Sequence, residues 1–466
     1  MFDTIIKNAN IYTDGNNFEA DIGIKDGIIA ELAKKGTISG GHKIIDAKGK
    51  LVIPGLIDPH VHIHAPFGNN IDILDFYSAS KLAAFGGVTS IIDFTNTVKG
   101  DSIVEVVKNR KNEMKNSAID YSLHVKYVES NEKLLKEIPE IIEMGCPSFK
   151  MFMTYKKAGV MIDDIDILKV LETIKKNKAM AGFHAESNSI SEFMEDKFSN
   201  EHLLGWENFP NYKPNICEYE AVERVISYAE LTGARIYLFH ITTAESVEII
   251  RKAKERGVDV IAETCLHYLI FNKEKNQGED GILYIMSPPL RTDKDIEALW
   301  KGINDGTLSI VSSDNCSFTR ELKEINLHKS DDGTIIKDFR KVVNGVSGLE
   351  ERLGILISEG VKKNRISFNK FVEITSTNPA KIFGMYPKKG TISIGADADI
   401  VILDPNRKKA LTKENLHYNL DYSIYEDYVG EYLPVYTIRR GEILVENDEF
   451  KGKEGTGQFI KRKLIG

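Results

Sequence analysis

An α/β fold, a (β/α)8 barrel carrying a small β-sandwich made from the two chain ends, is predicted by three observations. Eight short, apolar, β-branched segments recur between Gly55 and Asp314. Longer segments with helical periodicity separate them, and several end in glycine, the expected C-cap. At 466 residues the chain is too long for one small domain, but it suits one large α/β unit with an appendage.

The strand candidates in order are "GLIDPHVHI" (55–63), "VTSIIDF" (88–94), "DYSLHVKYV" (120–128) and "PSFKMFM" (147–153). They continue with "MAGFHAE" (180–186), "RIYLFHI" (235–241), "DVIAETC" (259–265) and "LSIVSSD" (308–314). Helical segments between them include 72–86, 131–145, 164–178, 218–233 and 292–306. Repeated strand–helix alternation indicates parallel βαβ units, and eight of them fit a closed barrel better than an open sheet. The ends differ: residues 1–52 and the stretch from about Gly390 to Lys451 show short alternating strands broken by Asp-Gly and Asn-rich turns. Pairing of these two pieces makes the sandwich. The expected division is 1–52 for its N-terminal part, 53–387 for the barrel and 388–466 for its C-terminal part and tail.

Composition narrows the function. With 42% hydrophobic and 28% charged residues the chain is an ordinary globular protein, and a formal charge of −8 argues against a nucleic-acid partner. No apolar run approaches the roughly 18 residues of a membrane span, and "MFDTIIKNANIYTDGNN" lacks the pattern of a secretory signal. Cys146, Cys217, Cys265 and Cys316 show no paired spacing, so a disulfide framework is not expected and a reducing cytoplasm is.

Three of eleven histidines fall in "DPHVHIH" at His60, His62 and His64, alternate positions that share one strand face. Lys150 sits inside the fourth strand candidate, His184 and His240 near the ends of the fifth and sixth, and Asp314 at the end of the eighth. Taken singly, a strand-end histidine is a hydrogen-bonded structural residue, Lys150 a snorkelling side chain and Asp314 a turn former. Together they converge on the C-terminal rim, where barrel enzymes place their sites. Four imidazoles and a carboxylate exceed what one open catalytic ion needs and suit two divalent ions about 3.5–4 Å apart, Zn²⁺ first among them. A buried lysine loses its proton readily, and the neutral amine can take up CO₂ as a carbamate, in effect a long carboxylate. His64 is expected as a loop residue facing the pocket. His42, His124, His202, His267, His328 and His417 are expected to be structural or on the surface.

The set "GLIDPHVHIHAPFG", "GCPSFKMFMTY", "GFHAES", "YLFHITTAES", "AETCLHYL", "SPPLR", "SSDNCSF", "NGVSGLEERL" and "TSTNPAKIFGMYPKKGTISIGADADIVILDP" resembles dihydropyrimidinases and D-hydantoinases of the amidohydrolase superfamily. It runs in order over nearly the whole chain, down to a "GTGQFIKRK" tail like that of phenylhydantoinase-type members. "SFKMFMTY" and "SPPLR" are specific to this branch, whereas the HxH pair is common to the superfamily. The resemblance implies that His60, His62 and Asp314 bind the more buried metal, His184 and His240 the more exposed one, and that carboxylated Lys150 bridges them. It implies Tyr155 as oxyanion donor, and Ser287 and Asn344 as holders of the substrate's cyclic amide edge. It further implies a homotetramer or homodimer, and hydrolysis of dihydropyrimidines or 5-substituted hydantoins to N-carbamoyl amino acids, with Asp314 as general base and then acid.

Departures from the pattern are His64-Ala65 in the loop after HxH, Asn315 after Asp314, and Lys213-Pro214 in place of the usual Arg-Pro. Dihydroorotase, the nearest rival, needs an arginine just after HxH, where His64-Ala65 stands. Allantoinase is disfavoured by the same loop. A non-catalytic scaffold relative would have lost the ligands, and all six are present.

Overall fold

The computed structural model describes residues 1–464. Eight parallel strands form the barrel: β1 (Leu56–Val61), β2 (Val88–Phe94), β3 (Asp120–Lys126), β4 (Ser148–Phe152), β5 (Met180–His184), β6 (Ile236–Leu238), β7 (Val260–Cys265) and β8 (Ile310–Ser312). Every residue of β2 and of β5 is buried, as expected of a parallel sheet covered on both faces. β8 meets β1 through a parallel bridge between Val61 and Asn315, where the His62 N–H donates to the Asn315 carbonyl at 2.8 Å. Buried Arg352 spans the same seam, donating to the carbonyls of Val311 at 2.8 Å and Ile57 at 3.2 Å.

The expected helices form on the outside as α1 (Phe76–Phe85), α2 (Ile103–Glu113), α3 (Glu132–Glu143), α4 (Asp164–Lys176), α5 (Asn215–Thr232), α6 (Ala244–Glu255) and α7 (Asp293–Asp305). Gly233 (φ 67°) and Gly306 (φ 81°) cap α5 and α7 in the left-handed region that glycine favours. Gly86 after α1 has an ordinary φ of −79° and serves packing instead, since a Cβ there would stand 2.6 Å from the Leu349 carbonyl oxygen.

The chain ends share one nine-stranded mixed sheet. They join where Leu51–Pro54 runs antiparallel to Ile400–Leu403, with Val52 opposite Ile402. The first strand, Phe2–Thr13, pairs with Gly41–Asp46 along its start and with Leu51 and Val52 at Asn10 and Ile11, so the sheet forks around an isoleucine-rich core that includes Ile6, Ile22, Ile24, Ile45 and Ile438. Asp14-Gly15 and Asp26-Gly27 turn with both residues at positive φ, the hairpin geometry their sequence signals.

The Lys389 ammonium locks this sheet under the barrel, lying 2.8, 3.0 and 2.7 Å from Asp120, Asp397 and Asp399. The C-terminal tail runs across the barrel floor, where Phe459 pairs with Tyr121 and Arg462 donates to Ser122 and Ser148 at 2.8 Å each. The floor is thereby sealed, and the C-terminal rim is left for chemistry. Among the described residues, no helix is long and apolar enough to cross a membrane.

Candidate metal centre at the barrel mouth

His60 lies within β1 and His62 one residue beyond it; Lys150 is the middle residue of β4 and His184 the last of β5. His240 and Asp314 each lie two residues past their strands, at φ 39° and 47°. Left-handed backbone at non-glycine residues is costly and persists where surrounding structure enforces it. At these two positions the chain leaves the strand direction at the barrel rim.

The imidazoles form a row. Ring centroids are 5.3 Å apart for His62 and His60, 5.5 Å for His60 and His240, and 4.5 Å for His240 and His184. Asp314 Oδ1 closes to 2.9 Å from His60 Nε2 and 3.2 Å from His62 Nε2. Burial favours a neutral His60, but Asp314 and Glu263 on either side of the ring outweigh it and push its pKa to about 9. Burial dominates at His62 and His184, lowering both to about 4, and takes His240 well below its ordinary value. Burial works against an ionised Asp314 too, yet His60 and His62 hold its carboxyl well below the usual carboxylate range.

Two carboxylates outside this row select the imidazole tautomers. Glu263 on β7 accepts from His60 Nδ1 at 2.5 Å and from the Tyr237 hydroxyl at 2.8 Å, which fixes a proton on Nδ1 and turns Nε2 towards Asp314. Glu186 accepts from His184 Nε2 at 2.7 Å and leaves Nδ1 free. Sequence reasoning missed both. Glu263 sits inside the apolar run "VIAETC", the same signal that singled out Lys150.

Lys150 is buried among aromatic rings, its Nζ 3.6 Å from the Phe239 centroid and 5.3 and 5.4 Å from those of Phe94 and Phe152. Desolvation lowers its pKa to about 8, so it gives up its proton more readily than an exposed lysine. Cys265 Sγ also comes within 4.8 Å of a His60 nitrogen and an Asp314 oxygen, but burial holds the thiol well above its ordinary pKa. The other acidic cluster, Asp120 with Asp397 and Asp399, already encloses Lys389.

The remaining expected residues gather beside His184. Ser287 Oγ accepts from Asn344 Nδ2 at 3.2 Å and from Lys213 Nζ at 3.1 Å. Lys213, noted from sequence only as a departure, is buried and paired with Glu186 at 2.6 Å, and its ammonium stands 4.8 Å from the Tyr155 ring centroid. Burial raises the Tyr155 pKa, against the pull of Lys213 and a hydrogen bond from Ser287, so the hydroxyl remains a donor at neutral pH. Tyr155 is itself left-handed (φ 66°), its ring centroid 5.2 Å from that of His184. All nine expected site residues are therefore joined in one cluster, from Asp314 and the imidazoles through Glu186 and Lys213 to Ser287 and Asn344, with Lys150 behind His60 against Phe239.

His64 is exposed on its loop, with its backbone N–H donating to Asp72 at 3.1 Å. His124 bonds Ser148 and the Pro59 carbonyl, His417 stacks on Phe85, and His42, His202 and His328 are exposed. His267 is buried with neither ring nitrogen hydrogen-bonded.

The amidohydrolase family profile matches residues 51–443. A D-hydantoinase of Ralstonia pickettii is 37% identical over 464 residues, covering 99% of each chain. A D-hydantoinase of Geobacillus stearothermophilus is 38% identical over 471 residues, covering 99% of this chain and 97% of that one. The crystal structure of a dihydropyrimidinase from Brevibacillus agri superposes with a TM-score of 0.95 at 34% identity over 99% of both chains.

Proposed function

The chain belongs to the amidohydrolase family, and from that premise we propose that it hydrolyses a ring C–N bond of 5-substituted hydantoins or dihydropyrimidines, releasing N-carbamoyl amino acids. The observation that carries this reading is the meeting of His60, His62, His184, His240, Lys150 and Asp314 at one rim of the barrel.

The donor set fits divalent metal. His60 Nε2 is buried 2.9 Å from Asp314 Oδ1, an imidazole nitrogen and a carboxylate oxygen that a shared cation would hold in place of a proton. In this reading His60, His62 and Asp314 would hold one ion, and His184 and His240 the other. The Lys150 amine would form an N–C bond to CO₂ and lose a proton, and the resulting carbamate would offer oxygens to the metal centre. When bound, two Zn²⁺ ions supply Lewis acidity and bring the pKa of water close to neutrality.

The protein's own groups do the rest. Asp314 starts as an anion, takes the proton of the attacking water, and delivers it to the ring nitrogen as the C–N bond breaks. The Tyr155 hydroxyl donates to the carbonyl oxygen as charge develops there. Ser287 Oγ, which accepts from Lys213 and Asn344 in the free protein, would exchange one of these donors for the cyclic amide edge that Asn344 also holds.

Tyr155→Phe is expected to retain both ions while kcat falls by about 10²–10³-fold, the usual loss of an oxyanion donor. Metal analysis and turnover on one preparation check this, and undiminished kcat would remove the role. Chelation is expected to abolish turnover, and Zn²⁺ with bicarbonate to restore it at two ions per chain. Turnover that survives chelation would contradict the metal assignment.

A further inference from the structure

Lys323 is fully buried on the short helix Arg320–Glu324, away from the imidazole row. Among the described residues no carboxylate pairs with it. Its Nζ donates instead to three backbone carbonyls, those of Gly345 at 2.9 Å and of Ile285 and Val343 at 3.3 Å each. An ammonium has three N–H donors, and here each has one acceptor.

The acceptors are informative. Ile285 stands two residues before Ser287, and Val343 and Gly345 flank Asn344 on both sides. The two segments also bond directly, the Gly345 N–H donating to the Ile285 carbonyl at 3.1 Å and Asn344 Nδ2 to Ser287 Oγ at 3.2 Å. Gly345 adopts a φ of 145°, and a Cβ there would lie 2.8 Å from the Cys316 carbonyl oxygen, so this backbone has little room to shift. A buried ammonium with no carboxylate beside it is costly even when its N–H groups are satisfied. A plain packing role would be filled better by leucine or methionine. What the amine adds is a third tie, made from behind, between two loops already joined by the Gly345 and Asn344 bonds.

We infer that Lys323 is a positioning residue for the reaction, the clamp that sets the spacing of Ser287 and Asn344 and hence the fit of the ring's amide edge. The inference rests on the reading of Ser287 and Asn344 as substrate residues, and the experiment separates the two. Steady-state kinetics on 5-phenylhydantoin would compare wild type, Lys323→Met, Lys323→Gln and Ser287→Ala, each loaded with Zn²⁺ and bicarbonate. Lys323→Met keeps the chain length and removes every donor. Its KM is expected to rise about 10- to 100-fold, the effect of displacing a positioning group by an ångström or less. Its kcat should stay within about 3-fold of wild type at unchanged metal content, since chemistry at the ions is untouched. Lys323→Gln keeps donors and should fall between. A merely structural lysine would lower the yield or the Tm without this split between KM and kcat.

An unchanged KM in folded, loaded Lys323→Met, beside a raised KM in Ser287→Ala, overturns the clamp alone. An unchanged KM in Ser287→Ala overturns the substrate reading and the clamp with it. If neither Lys323 variant folds, hydrogen exchange on the wild-type enzyme without substrate decides. A slow Gly345 amide supports a clamp formed before binding, and exchange at the rate of an open loop overturns it.

Discussion

Lys150→Ala is expected to yield a folded protein without metal and without detectable ring opening. The folding half of this result follows from β4, where Lys150 pairs with Lys126 and Gly182 through backbone alone. The substitution also relieves a desolvated amine, which offsets part of the packing lost against Phe239. The functional half follows from charge. Without the carbamate, two dications would face four neutral imidazoles and the single carboxylate of Asp314, with no anion between them. The fall in turnover should exceed that of Tyr155→Phe, because every later step depends on the loaded site. Metal analysis, circular dichroism and the signal of ¹³C-labelled bicarbonate on the protein check the three parts separately. Lys150→Ala protein that binds two ions and turns over would refute the bridging role.

Asp314→Asn is expected to lower kcat by about 10⁴-fold, the upper end of what a general acid–base supplies, with weakened retention of the ion held by His60 and His62. An amide is nearly isosteric and still offers an oxygen, but it neither takes the proton of water nor returns one to the ring nitrogen. The charge matters too, since Asp314 with Glu263 is what keeps His60 basic against burial. Glu263→Gln makes the useful contrast. It leaves Asp314 in place and disturbs only the tautomer of His60, so its effect on kcat should be smaller. If the two variants lose activity equally, Asp314 acts as a ligand and not as a base.

Most of the barrel was legible because each strand is a short apolar run closed by a helical period, a pattern that needs no partner to be read. The rim residues followed from it. His60, His184 and Lys150 were placeable by counting along strands, and His240 and Asp314 lie two residues past their strands because both turn left-handed at the rim. The terminal sheet was legible as strands but not as pairings, since the bond between Leu51–Pro54 and Ile400–Leu403 is made by backbone groups that every residue carries. For the same reason Arg352 and Lys323 gave no signal: their partners are carbonyls that only the folded chain brings together. Lys213 was visible only as an oddity before Pro214, and its pairing with Glu186 and Ser287 shows why a cation stands there. His267 was expected as structural or surface; it is buried, with both nitrogens unbonded.

The most direct test is ring opening by protein purified with Zn²⁺ and bicarbonate, with hydantoin, 5-phenylhydantoin and dihydrouracil as substrates and dihydroorotate and allantoin as controls. Chelator-sensitive turnover of the first three, giving N-carbamoyl amino acids, is the expected result, and their ratio names the preferred ring. Turnover confined to dihydroorotate or allantoin, or none at all with two ions bound per chain, would contradict it.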